Sequence, residues 1–265
     1  MGMSTQKLDL DFQYPTYDLT VSSTQQTEKL ACCDIDPSVF GEYVDVTHFA
    51  VETIMAAKHA GLSINGSVHV SQLIVQHEPV RLGETLTLSG VVSAIEAVAK
   101  GDMVTSKFDF KRTDGSVPLI LERTSLRADP TRMSAHKKNA TAAQEQPSLE
   151  LISQHQLVPA RVTRYSNEAD NLIHSDVGVA RQFGFKAPIA GGLMAVRYMM
   201  AYLWRAGVVE QLRMSVSFRR PMFWDDLLLL HRAVEQPEHL VMLRSSDQKI
   251  ANDARVEQLS YAAKS

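Results

Sequence analysis

The chain has 265 residues, of which 45% are hydrophobic and 22% are charged, and its formal net charge at pH 7 is −3. This length allows one large domain or two domains of moderate size. Nucleic acid is not expected as the principal partner, because no basic excess exists to neutralise phosphates. The longest apolar stretch, GGLMAVRYMMAYLWRAGVV, is interrupted by Arg197 and Arg205 and is too short for a bilayer, so no membrane association is predicted.

The N-terminal residues and the cysteines both favour a cytoplasmic location. The opening stretch MGMSTQKLDLDFQYP has no apolar core, so no signal peptide is predicted. The two cysteines, Cys32 and Cys33, are adjacent and do not have the spacing of a metal site. We expect both thiols to be reduced and buried, and the sequence implies no metal or other cofactor.

In the first half of the chain, one helix is followed by about four strands. The helix is predicted over AVETIMAAKHAGL (residues 50–62), where apolar residues follow a helical spacing only loosely. The alternating or apolar segments that follow it predict strands. These segments are SVHVSQLIVQHEPV, ETLTLSGVVSAIEAV, MVTSKFDFKRT and PLILERTSLRAD.

The segment PTRMSAHKKNATAAQEQPS, from Pro130 to Ser148, is rich in small and polar residues and has no apolar periodicity. It is therefore predicted to be a linker. We assign residues 1–130 to an N-terminal domain, residues 131–148 to the linker and residues 149–265 to a C-terminal domain.

The second half repeats the order of the first. PVRLGETLTL from Pro79 aligns with PMFWDDLLLL from Pro221, which gives an offset of 142 residues between the two segments. Upstream of this turn, GLMAVRYMMAYLW (residues 192–204) carries a clear apolar helical stripe. Strands are predicted in LRMSVSFRRPM, DLLLLHRAVEQ, HLVMLRSSDQKIA and DARVEQLSYAA. The pattern predicts an α+β tandem, or double, hot-dog fold, in which antiparallel sheets wrap two long central helices.

A polar cluster precedes the second helix in DNLIHSDVGVARQFGFKAPIAGGLMA. This segment resembles the motif of MaoC-like, R-specific enoyl-thioester hydratases and dehydratases, roughly G-D-x-N-P-[LIV]-H-x-D, then A-R-x-x-G-F and P-I-A-H-G-M. The matching positions are Asn171, Ile173, His174, Asp176, Ala180, Arg181, Gly184, Phe185, Pro188, Ile189, Ala190 and Gly192.

The resemblance implies a hydro-lyase that hydrates a 2-enoyl thioester or dehydrates a 3-hydroxyacyl thioester of coenzyme A or an acyl carrier protein. An Asp and a His share the proton transfers in this family, and the N–H at the start of the central helix binds the developing oxyanion; Gly192 matches that position. Asn171, Ile189, Ala190 and Gly191 are then expected to contact substrate. The N-terminal domain is expected to be degenerate and to shape the acyl pocket, and a homodimer is left open.

The motif departs from the family at the acid. The catalytic Asp of the family stands five residues before the His, where this chain has Ala169, and the nearest carboxylates are Glu168 and Asp170. We select Asp170 as the partner of His174, with Glu168 in second rank, although Asp170 could instead cap the next turn. The family's Pro before the Ile-His pair is Leu172 here, and its His before Gly192 is Gly191.

Three other functions are compatible with the same fold. Without an acid at position 169, His174 alone could support an isomerisation, or the pocket could template a cyclisation. The protein could also be a non-catalytic acyl-binding subunit. A thioesterase is disfavoured because the helix GGLMAVRYMMAYLW carries no acid. His48, which precedes the first helix, is a second-rank candidate for lining the site.

Overall fold

The protein is described by a computed structural model that covers residues 8–62, 67–129, 132, 148–166 and 171–263. The helices are α1 (Ser23–Cys32), α2 (Thr47–His59), α3 (Pro159–Ser166), α4 (Val177–Gln182) and α5 (Gly192–Trp204). The strands are β1 (Gln13–Thr20), β2 (Ser67–Gln76), β3 (Thr85–Val98), β4 (Gly101–Lys111), β5 (Leu119–Ala128), β6 (Leu149–Gln156), β7 (Ile189–Ala190), β8 (Val209–Phe218), β9 (Met222–Phe223), β10 (Leu227–Ala233), β11 (His239–Arg244) and β12 (Ile250–Tyr261).

In the described ranges, ten strands form one continuous antiparallel sheet that runs through both halves of the chain. Its order is β1-β3-β4-β5-β2-β8-β12-β11-β10-β6. The first five strands and the last five have the same connectivity read from opposite ends, so each half is a copy of one unit. The two units meet edge to edge where β2 pairs with β8.

The register of this central pairing reveals a local two-fold relation. Leu73 pairs with Ser215, which is its own counterpart at the repeat offset of 142 residues, and Gln72 pairs with Val216. The dyad therefore passes through the Leu73–Ser215 pair. A duplicated chain has in this way formed the isologous contact that two separate copies would form in a symmetric dimer.

Two helices of 13 residues, α2 and α5, contact each other and pack on the sheet. Six residues of α2 are buried, compared with eleven of α5. The helix predicted from residue 50 is α2, which begins at Thr47. The Asp45 carboxylate accepts the Thr47 N–H at 3.1 Å, so this earlier start does not leave that N–H without an acceptor.

The sequence analysis missed the first strand of each unit, β1 and β6. Pro15 lies inside β1, and the pairing of β1 with β3 is interrupted by a bulge between Tyr14 and Tyr17. A proline is tolerated there because β1 is an edge strand. β6 occupies the opposite edge of the sheet and exposes much of its surface, so it lacks the apolar content that marks the inner strands.

A buried ion pair joins the two halves. Arg197 of α5 and Asp45 have 1% and 0% of their side chains exposed, and Nε of the arginine lies 2.7 Å from a carboxylate oxygen of Asp45. The same Nε donates to the hydroxyl of Thr47. Arg197, which interrupts the apolar stretch in the sequence, therefore anchors α5 to the N-terminus of α2.

Candidate active site

The segment between α3 and α5 carries the polar cluster found in the sequence. It contains a short 3₁₀ helix, Leu172–His174, which is capped by the Asn171 side chain through the N–H of Ile173. Asp176 caps α4 by accepting the N–H of Val179 at 2.8 Å. These caps hold the chain on both sides of His174, so part of the motif serves local structure.

The motif's A-R-x-x-G-F portion ends α4. Gly184 has φ of +82°, a conformation that favours glycine. Its N–H donates to the carbonyl of Arg181, and the N–H of Phe185 donates to the carbonyl of Ala180. This pair of bonds is a Schellman motif, which terminates the helix and turns the chain back towards β7.

His174 is held in one tautomer by the backbone. Its Nδ1 lies 2.7 Å from the carbonyl oxygen of Ile189, and because a carbonyl only accepts, Nδ1 carries the proton. Ile189 is fixed in turn by pairing with Phe223 in the small sheet of β7 and β9. Burial lowers the pKa of His174, while its bond to the Ile189 carbonyl opposes that change. The imidazole is therefore neutral near pH 7, and Nε2 is able to accept a proton.

Asn171 and His174 lie in the wall of a cavity of about 130 Å³, which we call the His174 cavity. Both come from the second half of the chain, whereas the other lining residues belong to the first half. These are Leu8, Tyr14, Ile54, Ala57, Leu62, Ser67, His69, Val104, Ser106, Arg123, Ser125 and Arg127. The imidazole thus borders a space that lies between α2 and the first half of the sheet.

The predicted carboxylates Asp170 and Glu168 lie outside the described residues. Asn171, directly after Asp170 in the chain, lines the His174 cavity. Their predicted roles as acid or base remain predictions.

The start of α5 is tightly packed. Gly191 is the residue before the helix, and Gly192 is its first residue. A Cβ on Gly192 would lie 2.5 Å from the ring of Phe218, so this glycine is needed for close packing. The Phe218 ring in turn packs against His69 of the His174 cavity, with 4.3 Å between ring centroids. The ring of Phe218 therefore lies between the start of α5 and His69 in the wall of that cavity.

The other predicted contact residues take different places. Ile189 and Ala190 form β7, and neither they nor Gly191 is among the described residues that line the His174 cavity. His48, at the start of α2, lines a separate cavity together with Lys29, Tyr165 and Arg197. The structure thus brings Asn171 and His174 together and puts His48 elsewhere.

Sequence reasoning missed the polar residues that the first half contributes to the His174 cavity, notably Tyr14, His69 and Arg123. Arg123 lies in the predicted strand PLILERTSLRAD, on the same face as the buried Leu119 and Leu121. A charge on the inward face of a strand was the available signal. Within the described residues, no cluster of three metal-ligating side chains is present, and none of the described helices has the length and hydropathy of a membrane span.

Comparison with solved structures places this architecture in a known class. HtdX from Mycobacterium tuberculosis matches with a TM-score of 0.73 at 18% identity, over 91% of this chain and 98% of that one. A MaoC-like dehydratase from Phytophthora capsici matches with a TM-score of 0.70 at 18% identity, over 98% and 100% of the two chains. Peroxisomal multifunctional enzyme type 2 from Drosophila melanogaster matches with a TM-score of 0.71 at 17% identity, over 94% of this chain and 48% of that one.

The chain therefore has an α+β hot-dog fold, similar to that of MaoC-like dehydratases, as the motif predicts. No family model matches the sequence, and no curated protein matches it.

Proposed function

We propose that the protein is a hydro-lyase that adds water to a 2-enoyl thioester or removes it from a 3-hydroxyacyl thioester. Residues 1–130 and 149–265 are its two hot-dog units, with α2 and α5 as their central helices and residues 131–148 as the linker. The single observation that carries the proposal is His174, whose Nδ1 is bound to a carbonyl and whose ring borders a cavity formed by the other unit.

In the hydration direction, His174 Nε2 takes a proton from water as the oxygen attacks the β-carbon. The electron pair of the Cα–Cβ double bond moves to the thioester, and a proton is then delivered to the α-carbon. We assign that second proton to Asp170, with Glu168 as the alternative. A fixed tautomer favours this role because no imidazole reorientation is needed when the proton moves.

The N–H of Gly192 is proposed as the donor to the thioester oxygen. It lies at the N-terminus of α5, where the helix dipole favours negative charge, and it is too near the helix start to have an intrahelical acceptor. The thioester is carried by coenzyme A or an acyl carrier protein. Asn171, Ile189, Ala190 and Gly191 are proposed to contact its reacting end.

The test of the base is the hydration of crotonyl-CoA by the wild type and by His174→Ala. Loss of a general base reduces turnover by about 10²- to 10⁴-fold, so the variant should fall in that range. His231→Ala, on β10 of the same half, is the matched control and should remain active. An active His174→Ala protein contradicts the proposal.

The test of the acid uses Asp170→Asn and Glu168→Gln, which keep the shape of each side chain and remove its charge. Loss of turnover in the first variant alone supports Asp170, and loss in the second alone transfers the role to Glu168. If both still hydrate the substrate while His174→Ala does not, neither carboxylate is the acid and His174 acts as a single base. If the wild type hydrates no enoyl thioester, single-base isomerisation or templated cyclisation replaces hydration.

The oxyanion donor is tested by comparing Gly192→Pro with Gly192→Ala. Both variants place a Cβ against Phe218, but only proline lacks the N–H, and proline is tolerated at the first position of a helix. The ratio of their rates therefore isolates the donor and should reach about 10²-fold. Equal rates in two folded variants would exclude this role for Gly192.

A further inference from the structure

The sheet side of the His174 cavity is polar and positively charged. In the sheet register, Arg123 of β5 lies directly between Gln72 of β2 and Ser106 of β4, so the three side chains share one face. Ser125 and Arg127 follow on that face at the strand period of two and also line the cavity. A cavity for a purely apolar chain would not need two arginines in its wall.

Arg123 is buried without a counter-charge. Only 8% of the residue is exposed, and its Nε is buried without an acceptor. The described residues that line the cavity include no aspartate and no glutamate, so the wall itself offers Arg123 no carboxylate partner. Burial lowers the pKa of Arg123 in spite of the neighbouring Tyr14 hydroxyl. The Tyr14 hydroxyl and the ring of Phe108, whose centroid is 6.0 Å from the guanidinium carbon, are its neutral neighbours. A buried guanidinium without a counter-charge is costly, so it indicates a missing anionic partner.

The neighbouring polar groups do not supply that negative charge. The Tyr14 hydroxyl is hydrogen-bonded to the Ser106 hydroxyl at 2.9 Å, and both groups are neutral. Burial, together with the nearby charge of Arg123, lowers the pKa of His69 to about 3, so that its imidazole is neutral at pH 7. His69 uses its N–H on the Ser71 carbonyl, but one hydroxyl of the Tyr14–Ser106 pair still has its proton to donate. That hydroxyl and the Arg123 guanidinium are suited to a ligand oxyanion, which accepts hydrogen bonds from both.

The second unit has no arginine at the place that corresponds to Arg123. Gln72 and Met214 are counterparts at the repeat offset, and their partners in the adjoining strands are Arg123 and Val256. The same place in the second unit is therefore apolar. Arg197, the other deeply buried arginine on a cavity wall, has Asp45 as its partner.

We propose that the acyl group of the substrate is short and ends in a carboxylate that pairs with Arg123. This inference rests on the proposed function, because it places the thioester end at His174 and the carboxylate at the far wall of the same cavity. An engineered cavity of about 150 Å³ holds benzene, so the 130 Å³ available here accommodates about six heavy atoms. The substrate class is therefore thioesters of short dicarboxylic acids.

The test compares enoyl thioesters of N-acetylcysteamine, which carry no phosphate, with a methyl or a carboxylate at the far end of a four- or five-carbon chain. The wild type should show higher kcat/KM for the carboxylated compounds. Arg123→Met should lower kcat/KM for these by about 10- to 100-fold and leave the methyl-ended compounds unchanged or improved, since a charged hydrogen bond is lost. Arg123→Lys should retain part of the preference.

Arg213→Met is the matched control, because Arg213 pairs with Glu257 on an exposed part of the sheet and should not affect the preference. A wild-type preference for methyl ends, or an equal loss for both series in Arg123→Met, would overturn the proposal. So would a loss confined to coenzyme A thioesters, because Arg123 would then bind carrier phosphates.

A binding measurement separates this inference from the proposed reaction. The saturated thioesters, which cannot be hydrated, should bind His174→Ala more tightly with a carboxylate end than with a methyl end. Adding Arg123→Met should remove that difference. If this holds while no enoyl thioester is hydrated, the dicarboxylic ligand stands and the hydro-lyase proposal fails. If hydration occurs without the difference in binding, the inference about Arg123 fails alone.

Discussion

Helices α2 and α5 have the same length and follow the same order of elements, yet six of 13 residues are buried in α2 and eleven of 13 in α5. The side chains of Ile54 and Ala57 on α2 border the His174 cavity, whereas α5 is packed by its own sheet and by residues of the first half such as Phe40 and Tyr43. In the middle of the two helices, therefore, α2 borders the His174 cavity where α5 is fully packed.

The connections that precede α2 and α5 also differ, and here the longer one belongs to the C-terminal unit. Residues 33–46 link α1 to α2, whereas the longer stretch 167–191 links α3 to α5 and carries His174. The C-terminal unit thus holds the titratable group, and the N-terminal unit provides the space that it faces. Duplication separates the two tasks, because a change that enlarges the cavity in one unit does not disturb the packing that fixes the imidazole in the other.

The contact between the units should be the most sensitive to mutation. Arg197→Met leaves the Asp45 carboxylate buried without its partner, and we expect the free energy of unfolding to fall by about 3–5 kcal/mol. Urea denaturation measures this change. Arg213→Met removes an exposed pair and should cost less than about 1 kcal/mol. Equal losses in the two variants would show that Arg197 does not anchor α5.

The contrast between α2 and α5 can be tested at equivalent helix positions. Ile54 and Met199 are each the eighth residue of their helix, but Met199 is fully buried. Met199→Ala should reduce the free energy of unfolding by about 2–5 kcal/mol, since it opens a new cavity. Ile54→Ala should cost less and should raise relative kcat/KM for longer acyl chains, as measured by denaturation and by a substrate series. A larger loss at Ile54 would contradict the comparison.

The smallest effect concerns pH. Neutral His174 is the proposed base and burial lowers its pKa, so activity should persist below the ordinary histidine value of about 6.5 and then fall tenfold per pH unit, about 1.4 kcal/mol each. A pH–rate profile for a CoA thioester with a methyl end gives the position of this limb. His231→Asn should leave it in place. A limb above pH 6.5 would mean that the group being protonated is not a buried imidazole.

Much of the architecture could be predicted from the sequence. The turn segments at Pro79 and Pro221 gave the correct offset for β2 with β8 and for β3 with β10. The start of α2 was predicted too late because the alignment was carried upstream from Pro79 and Pro221 without gaps. Residues 60–66 separate α2 from β2, whereas only residues 205–208 separate α5 from β8. β1 could not be recognised from its periodicity, since Pro15 and the bulge break the alternation.

The candidate site was predictable only in part. The motif located Asn171 and His174, but the wall that they face comes from strands more than 40 residues upstream. No local sequence pattern predicts a contact between segments so far apart in the chain. Gly192 is predicted only as the residue whose N–H binds an oxyanion, whereas the structure adds a packing reason for glycine in the ring of Phe218. In the sequence alone, Arg123 cannot be distinguished from other arginines on strands. It becomes informative only when its neighbours on the sheet are known.

During synthesis, β2 leaves the ribosome long before its partner strand β8. At about 5–20 residues per second, adding the residues between Gln76 and Val209 takes roughly 7 to 27 s. β2, SVHVSQLIVQ, contains no charged residue and no proline, and such an edge is open to pairing with other chains. Because the dyad passes through Leu73, two nascent chains can pair their β2 strands in the register that β8 later occupies, so the interval before residue 209 favours either chaperone capture or a swapped dimer.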